Sequence, residues 1–362
     1  MKKKVIIISN TVGVIYKFKF ELLEELLRKD YDVYLFAQNE KENSYLEEIK
    51  KIGINYIEIN VSRRGMNPFK DFKLLIDYYK NIKRINPDFI YTFTIKPNLY
   101  GALLARILNI NYCATITGLG TIFQKETLIS KVLIKFYKES LKNSKGVFFE
   151  NKQNLNFFTK NKIIAKDKSI LVSGSGINLK KFYPLKKDRE DDKIVFLFLG
   201  RIMKEKGIEE FLEAAKKIVK ENKNIEFWIL GNYEEEKYRI LIEKLERESI
   251  VKYLGSKSDV RDVIKEIDFL IQPSYHEGLS NVILEASAMG KLVLASNIPG
   301  CREAIVDKKY LFLPRDINNL IECIERNKNE NNEYQMNFIK KNFDRKNVIE
   351  ENLKILERNI KC

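Results

Sequence analysis

Short apolar runs, rich in β-branched and aromatic residues, alternate with longer amphipathic segments along nearly the whole chain. A run such as Ile194–Leu199 contains no polar residue, which is typical of a strand buried on both faces of a sheet. The longer segments carry apolar residues at helical spacing. Because strands and helices alternate, the pattern predicts parallel sheets covered by helices on both faces, the doubly wound α/β class.

The alternation occurs twice along the chain. In the first half, strands are predicted at residues 4–9, 32–37, 56–60, 89–93, 112–115, 146–149 and 169–172, and helices at 20–28, 68–84, 97–108 and 127–143. In the second half, strands are predicted at residues 194–199, 225–230, 251–254, 269–272, 292–295 and 310–313, and helices at about 207–221, 233–249, 260–267, 281–289 and 318–327. A last helix is predicted at about residues 345–360.

The length of 362 residues fits two domains of ordinary size, and an apolar content of 44% is enough to fill two cores. The densest charge run, residues 186–193, lies between the two repeats of the pattern. We therefore predict an N-terminal Rossmann-like domain over residues 1–185 and a C-terminal one over residues 186–343. A final helical segment, residues 344–362, could pack on either domain.

The first candidate site is the segment 200–207, Gly-Arg-Ile-Met-Lys-Glu-Lys-Gly, which directly follows the predicted strand Ile194–Leu199. In parallel sheets, ligands collect at the carboxyl ends of the strands. A glycine there lets a ligand approach the backbone, and Arg201 and Lys206 stand beside a helix N-terminus, a common place for phosphate. An ordinary strand–helix turn with exposed charges is the alternative interpretation.

The second candidate site follows the predicted strand at residues 269–272. Its loop contains Glu277, and a helix is predicted to begin at Asn281. The amides of Ser280, Asn281 and Val282 would then be free to bind an anion. Glu285, one turn into the helix, suits a ribose diol. A capped surface helix is the alternative, although two acids beside an anion site favour a ligand.

These two motifs together carry a resemblance. Gly200-Arg201-x5-Gly207, which includes Lys206, followed by Glu277-x7-Glu285, resembles the retaining family 4 glycosyltransferases of the GT-B fold. Residues 92–101 and 116–120 are similar to the N-terminal domain of the branch that builds capsular, O-antigen and lipid-linked glycans, and residues 175–184 to the segment between the domains. The resemblance implies two doubly wound Rossmann-like domains facing across a cleft.

The resemblance also implies roles for single residues. Arg201, Lys206 and Glu277 would be catalytic, with the two cations on the donor diphosphate. Gly13, in a loop after the first strand, would face them, and the nucleobase would lie near residues 255–257. The implied donor-binding residues are Gly13, Gly200, Lys257, Gly278, Leu279, Ser280, Asn281, Val282 and Glu285, and those on the acceptor side are Asn10, Lys96, Thr117 and Gly118.

The implied reaction moves a hexose or N-acetylhexosamine from a UDP-sugar to a glycan or polyprenyl-diphosphate-linked acceptor with retention, without metal or other cofactor. Asp30-Tyr31-Asp32 resembles the metal–diphosphate motif of another glycosyltransferase class. However, it precedes a predicted strand, so we expect it at the edge opposite the site. Four dispersed cysteines and one histidine, His276, offer no zinc spacing. The chain departs from many family members in lacking a histidine in the N-terminal domain.

The net charge of +15, from 65 Lys and Arg against 50 Asp and Glu, favours an anionic partner. Residues 126–145 form a basic amphipathic pattern with one lysine stripe, Lys131, Lys135, Lys138 and Lys142, that could lie on anionic lipid. An ordinary solvated helix face is the alternative. No window of 18 apolar residues occurs, so we expect a cytoplasmic protein bound peripherally to the inner face of the cell membrane.

Three other classes remain to be weighed. A nucleotide-sugar 2-epimerase of the same architecture needs proton transfer at a sugar carbon, for which a chain with one histidine offers few acid–base pairs. A nucleic-acid-binding protein would account for the net charge, but the basic residues are dispersed and no such motif occurs. A catalytically silent scaffold is disfavoured, because Arg201, Lys206, Glu277 and Glu285 are all present.

Overall fold

The computed structural model describes residues 2–40, 45–61, 67–118, 127–330 and 333–360. The chain divides into two units, the first made of Met1–Ser175 with Lys346–Cys362 and the second of Gly176–Arg345. The division falls at Ser175 and not in the charged residues 186–193. The reason is that the two ends of the second unit pair with each other: Ile177 N donates to Phe343 O at 2.7 Å, and Arg345 N donates to Ile177 O at 3.0 Å.

The described residues of the first unit form a seven-stranded sheet in which all neighbouring strands are parallel, in the order β3-β2-β1-β4-β5-β6-β7. The strands are β1 Lys4–Thr11, β2 Asp32–Gln38, β3 Asn55–Glu58, β4 Phe89–Phe93, β5 Asn111–Ile116, β6 Gly146–Phe149 and β7 Ser169–Leu171. The helices are α1 Val12–Arg28, α2 Tyr45–Lys51, α3 Pro68–Ile85, α4 Ala102–Ile107 (preceded by a π-helical turn, Pro97–Gly101), α5 Leu128–Leu141 and α6 Lys152–Lys160.

Helices cover both faces of this sheet. Successive side chains of a strand point to opposite faces, so Ile6 and Ile8 of β1 enter the core beneath α3–α6, while Val5 and Ile7 enter the core beneath α1 and α2. The final helix of the chain, Arg345–Asn359, also packs in that second core, and Tyr91 OH of β4 donates to Asn352 O at 2.7 Å.

The second unit contains a parallel six-stranded sheet in its described part, in the order β10-β9-β8-β11-β12-β13. Counted from β8, this is the 3-2-1-4-5-6 order of the Rossmann fold, in which the winding reverses between β8 and β11. The strands are β8 Ile194–Leu199, β9 Ile225–Leu230, β10 Lys252–Tyr253, β11 Phe269–Gln272, β12 Leu292–Ser296 and β13 Leu311–Phe312. The helices are α7 Ile208–Glu221, α8 Lys237–Arg247, α9 Arg261–Ile264, α10 Asn281–Ala288, α11 Pro299–Arg302, α12 Ile317–Asn327 and α13 Glu333–Asn342, and the final helix is α14 Arg345–Asn359.

The predicted doubly wound α/β class is confirmed in both units. One local prediction was wrong. Helix α1 begins at Val12, not near residue 20, so Gly13 lies in the first turn of a helix and not in a loop. Its buried residues Val12, Ile15, Leu22 and Leu26 have helical spacing. The β-branched and aromatic residues around Gly13 hide that spacing, because they have low helix propensity.

Candidate active site

The strongest candidate site lies where β8 and β11 end side by side. Phe269 and Leu270 of β11 pair with Phe196 and Leu197 of β8, so the segments that follow the two strands leave the sheet at neighbouring points. This is the position at which the winding of the sheet reverses, where α/β folds open a crevice for ligands. Both sequence motifs therefore meet at one edge of one unit.

Lys206 and Glu277 form the centre of this site. Lys206 Nζ lies 2.6 Å from Glu277 Oε1, and the two side chains are 20% and 13% exposed. The same oxygen accepts hydrogen bonds from Gln272 Nε2 at 2.9 Å and Ser274 Oγ at 2.8 Å. Three donors on one oxygen hold the carboxylate in place.

Close backbone contacts position the two segments. Gly207, between the turn at Lys204–Lys206 and α7, has φ +74°, and a Cβ there would lie 2.1 Å from Pro273 O. A Cβ on Gly300 of α11 would lie 2.4 Å from Glu277 O and 2.6 Å from Gly278 O. Only glycine allows these approaches, so the loop that carries Glu277 is clamped between α7 and α11.

The start of α10 provides backbone donors beside this pair. Ser280 is the N-cap residue, but its N–H donates to Gly300 O at 3.2 Å, so the expectation that this amide is free was wrong. Asn281 and Val282 are the first two residues of the helix, and among the described residues none accepts from their N–H groups. Glu285 lies one turn further along and is half-buried.

Arg201 lies at the same edge but outside the Lys206–Glu277 network. Its side chain is 55% exposed, and Nη1 lies 3.7 Å from Glu234 Oε2. The preceding residue, Gly200, directly follows the end of β8. Gly231 directly follows β9, and a Cβ there would lie 1.8 Å from Gly200 O. The backbone of both strand exits is therefore held close by two glycines, one of which, Gly231, was not among the predicted site residues.

The remaining predicted donor residues surround this centre. Leu279 is buried at 6% exposure, Gly278 is half-buried, and Lys257 and His276 are exposed. Lys257 follows β10, two strands from β8 in the sheet, and the structure places it in no hydrogen bond or ion pair within the described residues. Its assignment to the donor stays a prediction.

Buried groups next to the site keep their protons. Burial, and after it the negative charge of Glu277, raises the pKa of the Cys301 thiol well above its ordinary value. Burial and a hydrogen bond from its hydroxyl to Glu210 Oε1, 2.6 Å long, raise the pKa of Tyr275. Cys301 is therefore an inert thiol and Tyr275 a fixed hydroxyl, and neither is suited to nucleophilic chemistry at neutral pH.

The first unit has its own reversal of winding, between β1 and β4. Asn10, near the end of β1, has a buried Oδ1 with no hydrogen-bond partner among the described residues, and the same holds for Asn39 Oδ1 after β2. Two unsatisfied acceptors at one edge suit a ligand rich in hydroxyl groups. Gly13 N donates to Glu40 Oε2 at 3.2 Å nearby.

The other predicted acceptor residues follow β4 and β5. Lys96 is buried, and its Nζ lies 2.6 Å from Asp71 Oδ1, so its charge is already paired. Thr94, between β4 and Lys96, has a positive φ of +75°. This backbone conformation is costly for a β-branched residue, and such strained residues are concentrated at functional sites. Thr117 and Gly118 are half-buried, and a Cβ on Gly118 would meet open space. Residues 119 and 120 lie outside the described residues.

Gln272 and Ser274 were missed in the sequence. Both are nearly fully buried, at 4% and 0% exposure, and both hydrogen-bond to Glu277. A signal existed, because Gln272 is the one polar residue of the otherwise apolar strand β11. A buried polar group at a strand end needs a partner, and here the partner is the candidate catalytic carboxylate.

The Asp30-Tyr31-Asp32 motif lies at the amino end of β2. Asp30 pairs with Lys2 at 2.6 Å, and Asp32 accepts hydrogen bonds from Tyr34 and Asn55. Elsewhere in the described residues, no group of three His, Cys, Asp or Glu side chains is arranged to hold a metal ion. No helix within the described ranges is both long and apolar enough to cross a membrane.

Comparison with known proteins decides the family. Residues 4–151 match the family described as glycosyl transferase 4-like, and residues 180–345 match glycosyl transferases group 1. A relative from Campylobacter jejuni, named N,N'-diacetylbacillosaminyl-diphospho-undecaprenol alpha-1,3-N-acetylgalactosaminyltransferase, is 30% identical over 314 residues, which are 82% of this chain and 81% of that protein. The chain belongs to the family 4 glycosyltransferases.

Two further similarities agree with this result, a relative in sequence with the family and a solved structure with the fold. An Escherichia coli protein named UDP-Gal:alpha-D-GlcNAc-diphosphoundecaprenol alpha-1,3-galactosyltransferase is 26% identical to this glycosyltransferase, covering 85% of this chain and 82% of that one. The structure of HepE from Anabaena, in complex with UDP and glucose, is 14% identical, with a TM-score of 0.78 over 98% of this chain and 99% of that chain. The predicted family and GT-B fold are thereby confirmed.

Proposed function

We propose that this glycosyltransferase moves a hexose or N-acetylhexosamine from a UDP-sugar to a glycan or polyprenyl-diphosphate-linked acceptor during synthesis of a cell-surface polysaccharide. The observation that carries the proposal is the Lys206–Glu277 pair, 2.6 Å apart, at the point where the winding of the second sheet reverses. Two relatives named for undecaprenyl-diphosphate acceptors, one of them also for a UDP-Gal donor, support the two substrate classes.

The leaving group explains why cations belong here. Glycosyl transfer develops positive charge at the anomeric carbon and negative charge on the departing diphosphate. Lys206 and Arg201, with the N–H groups of Asn281 and Val282, would stabilise that negative charge as it grows, which requires no metal ion. Because Lys206 and the two helix N–H groups are held in place before the reaction, little reorganisation of these three donors is needed when the charge forms.

Glu277 would have two roles, one for each oxygen. Oε1 already accepts from Lys206, Gln272 and Ser274, so it fixes the ammonium beside the diphosphate. Oε2 would accept from a hydroxyl of the donor sugar. Glu285 would hold the ribose, with the base near Lys257, and the remaining donor-side contacts are proposed for Gly13, Gly200, Gly278, Leu279 and Ser280.

The acceptor would bind the first unit at the ends of β1, β4 and β5. The unsatisfied Oδ1 atoms of Asn10 and Asn39 are suited to sugar hydroxyl groups. Thr117 and Gly118 follow β5, and a Cβ on Gly118 would meet no described residue within 4 Å. Lys96 would act through its ion pair with Asp71, by holding the strained backbone at Thr94, and not as a direct ligand.

Peripheral contact with anionic membrane through residues 126–145 belongs to the same proposal. Residue 126 lies outside the described residues, and α5 occupies most of the rest. Lys131, Lys135, Lys138 and Lys142 are exposed there. A lipid-linked acceptor would require the enzyme to work at the inner face of the cell membrane.

The test is transfer itself. Purified enzyme is incubated with a panel of UDP-sugars and a short-chain polyprenyl-diphosphate saccharide, and the product is identified by mass spectrometry and NMR. We expect transfer from one UDP-hexose or UDP-N-acetylhexosamine, an α linkage formed from the α-linked donor, and full activity in EDTA. Activity abolished by EDTA and restored by Mn²⁺ would contradict the metal-independent mechanism, and a β product would contradict retention.

Incubation with the donor alone is the control for the alternative chemistry. An epimerase converts its nucleotide sugar without any acceptor, whereas a transferase consumes donor in proportion to acceptor. Donor converted to its 2-epimer in the absence of acceptor would overturn the proposed transfer.

A further inference from the structure

Helix α3 exposes an apolar stripe along the face turned away from its sheet. Phe69 is 88% exposed, Phe72 66%, Ile76 36% and Tyr79 38%. Their spacing of three, four and three residues places them on one side of the helix. The opposite side buries Leu74, Tyr78 and Ile82 in the core of the first unit.

Helix α5 exposes a second apolar stretch on the same side of the sheet. Its first turns expose Leu128 at 82%, Ile129 at 56% and Val132 at 62%. α3 and α5 lie on the same face of the first sheet with α4 between them, because all three bury residues in one core and α4 packs against both neighbours. Helices that connect parallel strands begin at the carboxyl edge of the sheet. The exposed apolar ends of both helices therefore lie at the edge that also holds Asn10 and Thr117.

Lysines flank both apolar stretches. Lys70, Lys73, Lys80 and Lys83 are exposed on α3, and Lys131, Lys135 and Lys138 are exposed on α5, followed by the exposed C-cap residue Lys142. Of the two acids on α3, Asp71 is buried against Lys96 and Asp77 is half-buried. Long lysine side chains can extend past an apolar surface and place their ammonium groups at anionic head groups.

We infer that the outer face of α3, together with the first turns of α5, is one docking surface for an anionic lipid bilayer, with Phe69 and Phe72 entering the acyl region. The inference rests on the proposed membrane contact and changes its main element from the lysine stripe of α5 to the aromatic stripe of α3. A helix with an aromatic and aliphatic face bordered by lysines is the type that lies in the membrane interface.

Charge favours a bilayer over a second copy of the chain. Two copies docked through this face would bring the lysines of one stripe against those of the other, and like charges brought together cost affinity.

The exposed apolar residues of the second unit provide a contrast. Ile240 on α8 and Tyr334 on α13 are each 74% exposed but stand on separate helices, and single exposed apolar residues are ordinary.

The test uses vesicle flotation of the full chain without substrate. Three double variants are compared with the wild type: Phe69→Ser with Phe72→Ser, Leu128→Ser with Val132→Ser, and the matched control Ile240→Ser with Tyr334→Ser. Vesicles contain phosphatidylcholine alone or with phosphatidylglycerol. We expect binding to the anionic vesicles only, weakened about tenfold or more by the α3 pair, weakened less by the α5 pair and unchanged by the control.

A fluorescence arm tests insertion directly. Trp228 is the only tryptophan of the wild type and is buried in the second unit, so its emission should not change when vesicles bind. A change in emission after a tryptophan is placed at position 69 therefore reports the surroundings of that position. On anionic vesicles, the tryptophan emission of the Phe69→Trp variant should shift to shorter wavelength and be quenched by brominated acyl chains. The emission of the Ile240→Trp variant should not change.

Three results would overturn the inference. If the α5 pair abolishes binding and the α3 pair does not, the proposed membrane contact stands and this inference falls. If the wild type ignores anionic vesicles, both fall. If the α3 pair changes the sedimentation of the free protein while vesicle binding persists, the stripe is an interface between copies of the chain. The proposed transfer is tested separately, with the short-chain acceptor in solution.

Discussion

Two lysines of one short turn differ in their surroundings. Lys206 pairs with Glu277 at 2.6 Å and is 20% exposed, whereas Lys204 is 58% exposed and lies 3.6 Å from Glu209. Position in the sequence hardly separates them, but the structure directs only one of them to the candidate catalytic carboxylate.

We expect Lys206→Ala to reduce kcat about ten- to a hundredfold, because a charge-assisted hydrogen bond to the leaving group is worth roughly 1.5–3 kcal/mol. Lys204→Ala is the matched control and should retain turnover near that of the wild type. Steady-state kinetics with a saturating acceptor measures both, and circular dichroism checks the fold. Equal losses in the two variants would remove Lys206 from the proposed mechanism.

Lys291 provides a pH-dependent signature of the second unit. Burial, and after it the positive charge of Lys187, lowers the pKa of Lys291 to about 8, although its Nζ donates to Lys265 O at 2.6 Å and Asp268 and Glu266 oppose the shift. The unfolded chain keeps this proton up to about pH 10.5, so between about pH 8 and 10.5 it binds more protons than the folded chain. Stability due to this group therefore rises with pH across that window.

The measurement is the free energy of unfolding of the wild type and Lys291→Met at pH 7.5 and pH 10. We expect the wild type to gain on the order of 1–3 kcal/mol relative to the variant over this range. A difference that stays constant with pH would show that Lys291 titrates normally in the folded chain.

The candidate site was only partly predictable from single residues. Lys206 and Glu277 stood in motifs after predicted strands, and the edge rule for parallel sheets brought them together. Gln272 and Ser274 were not predicted, because a polar residue at a strand end has many possible partners. The backbone N–H of Ser280 donates to Gly300 O, twenty residues away in the sequence. No local sequence pattern reveals such a hydrogen bond.

At the scale of elements, β11 and α7 are joined through a glycine contact. A Cβ on Gly207 would lie 2.1 Å from Pro273 O, and Gly207 has φ +74°. Gly255 is the matched control in the same unit, because its φ is +72° and a Cβ there would meet nothing within 4 Å. The two positions share the backbone cost of alanine and differ only in the collision.

We expect Gly255→Ala to lower the free energy of unfolding by about 1–2 kcal/mol, the cost of a left-handed alanine. Gly207→Ala should lose a further 1–3 kcal/mol or so, because backbone must move to relieve the overlap. Urea unfolding followed by the fluorescence of Trp228 in β9 measures both. Equal losses in the two variants would mean that the backbone before α7 moves away from Pro273 without lowering the free energy of unfolding.

The positions of the elements were predicted better than their arrangement. Apolar runs such as Ile194–Leu199 and Gly146–Phe149 were predicted with the observed bounds, because a strand buried on both faces has no polar residue to obscure it. The order of the strands was not predictable, since pairing depends on which helices cross which face. Helices α2, α6, α11 and α13 were absent from the predictions, and all four are ten residues or shorter.

At the scale of the whole molecule, the last helix completes the core of the first unit. Val348, Leu353 and Leu356 of α14, with Ile360 directly after it, are buried there with residues of β1 and α1. Burial of four apolar side chains is a large share of the margin by which a domain is stable.

Truncation after Arg345 should therefore destabilise the first unit and leave the second intact. Leu356→Ala, a milder change, should cost about 2–5 kcal/mol in the first unit. Circular dichroism reports both units, whereas Trp228 fluorescence reports the second. We therefore expect an early unfolding transition in the circular dichroism signal and none in the fluorescence. Coincident shifts of both signals, or none in either, would contradict this division of stability.

The entry and exit of the second unit lie side by side, since Gly176 packs on Arg345 so closely that a Cβ would lie 2.5 Å from its Cα. In genetic terms, residues 176–345 form one uninterrupted cassette inside a host that is encoded in two pieces. Two crossovers, one at each boundary, could exchange the half proposed to read the nucleotide sugar while the half proposed to read the acceptor is inherited unchanged. New glycan linkages could thus arise by shuffling, without rebuilding either half.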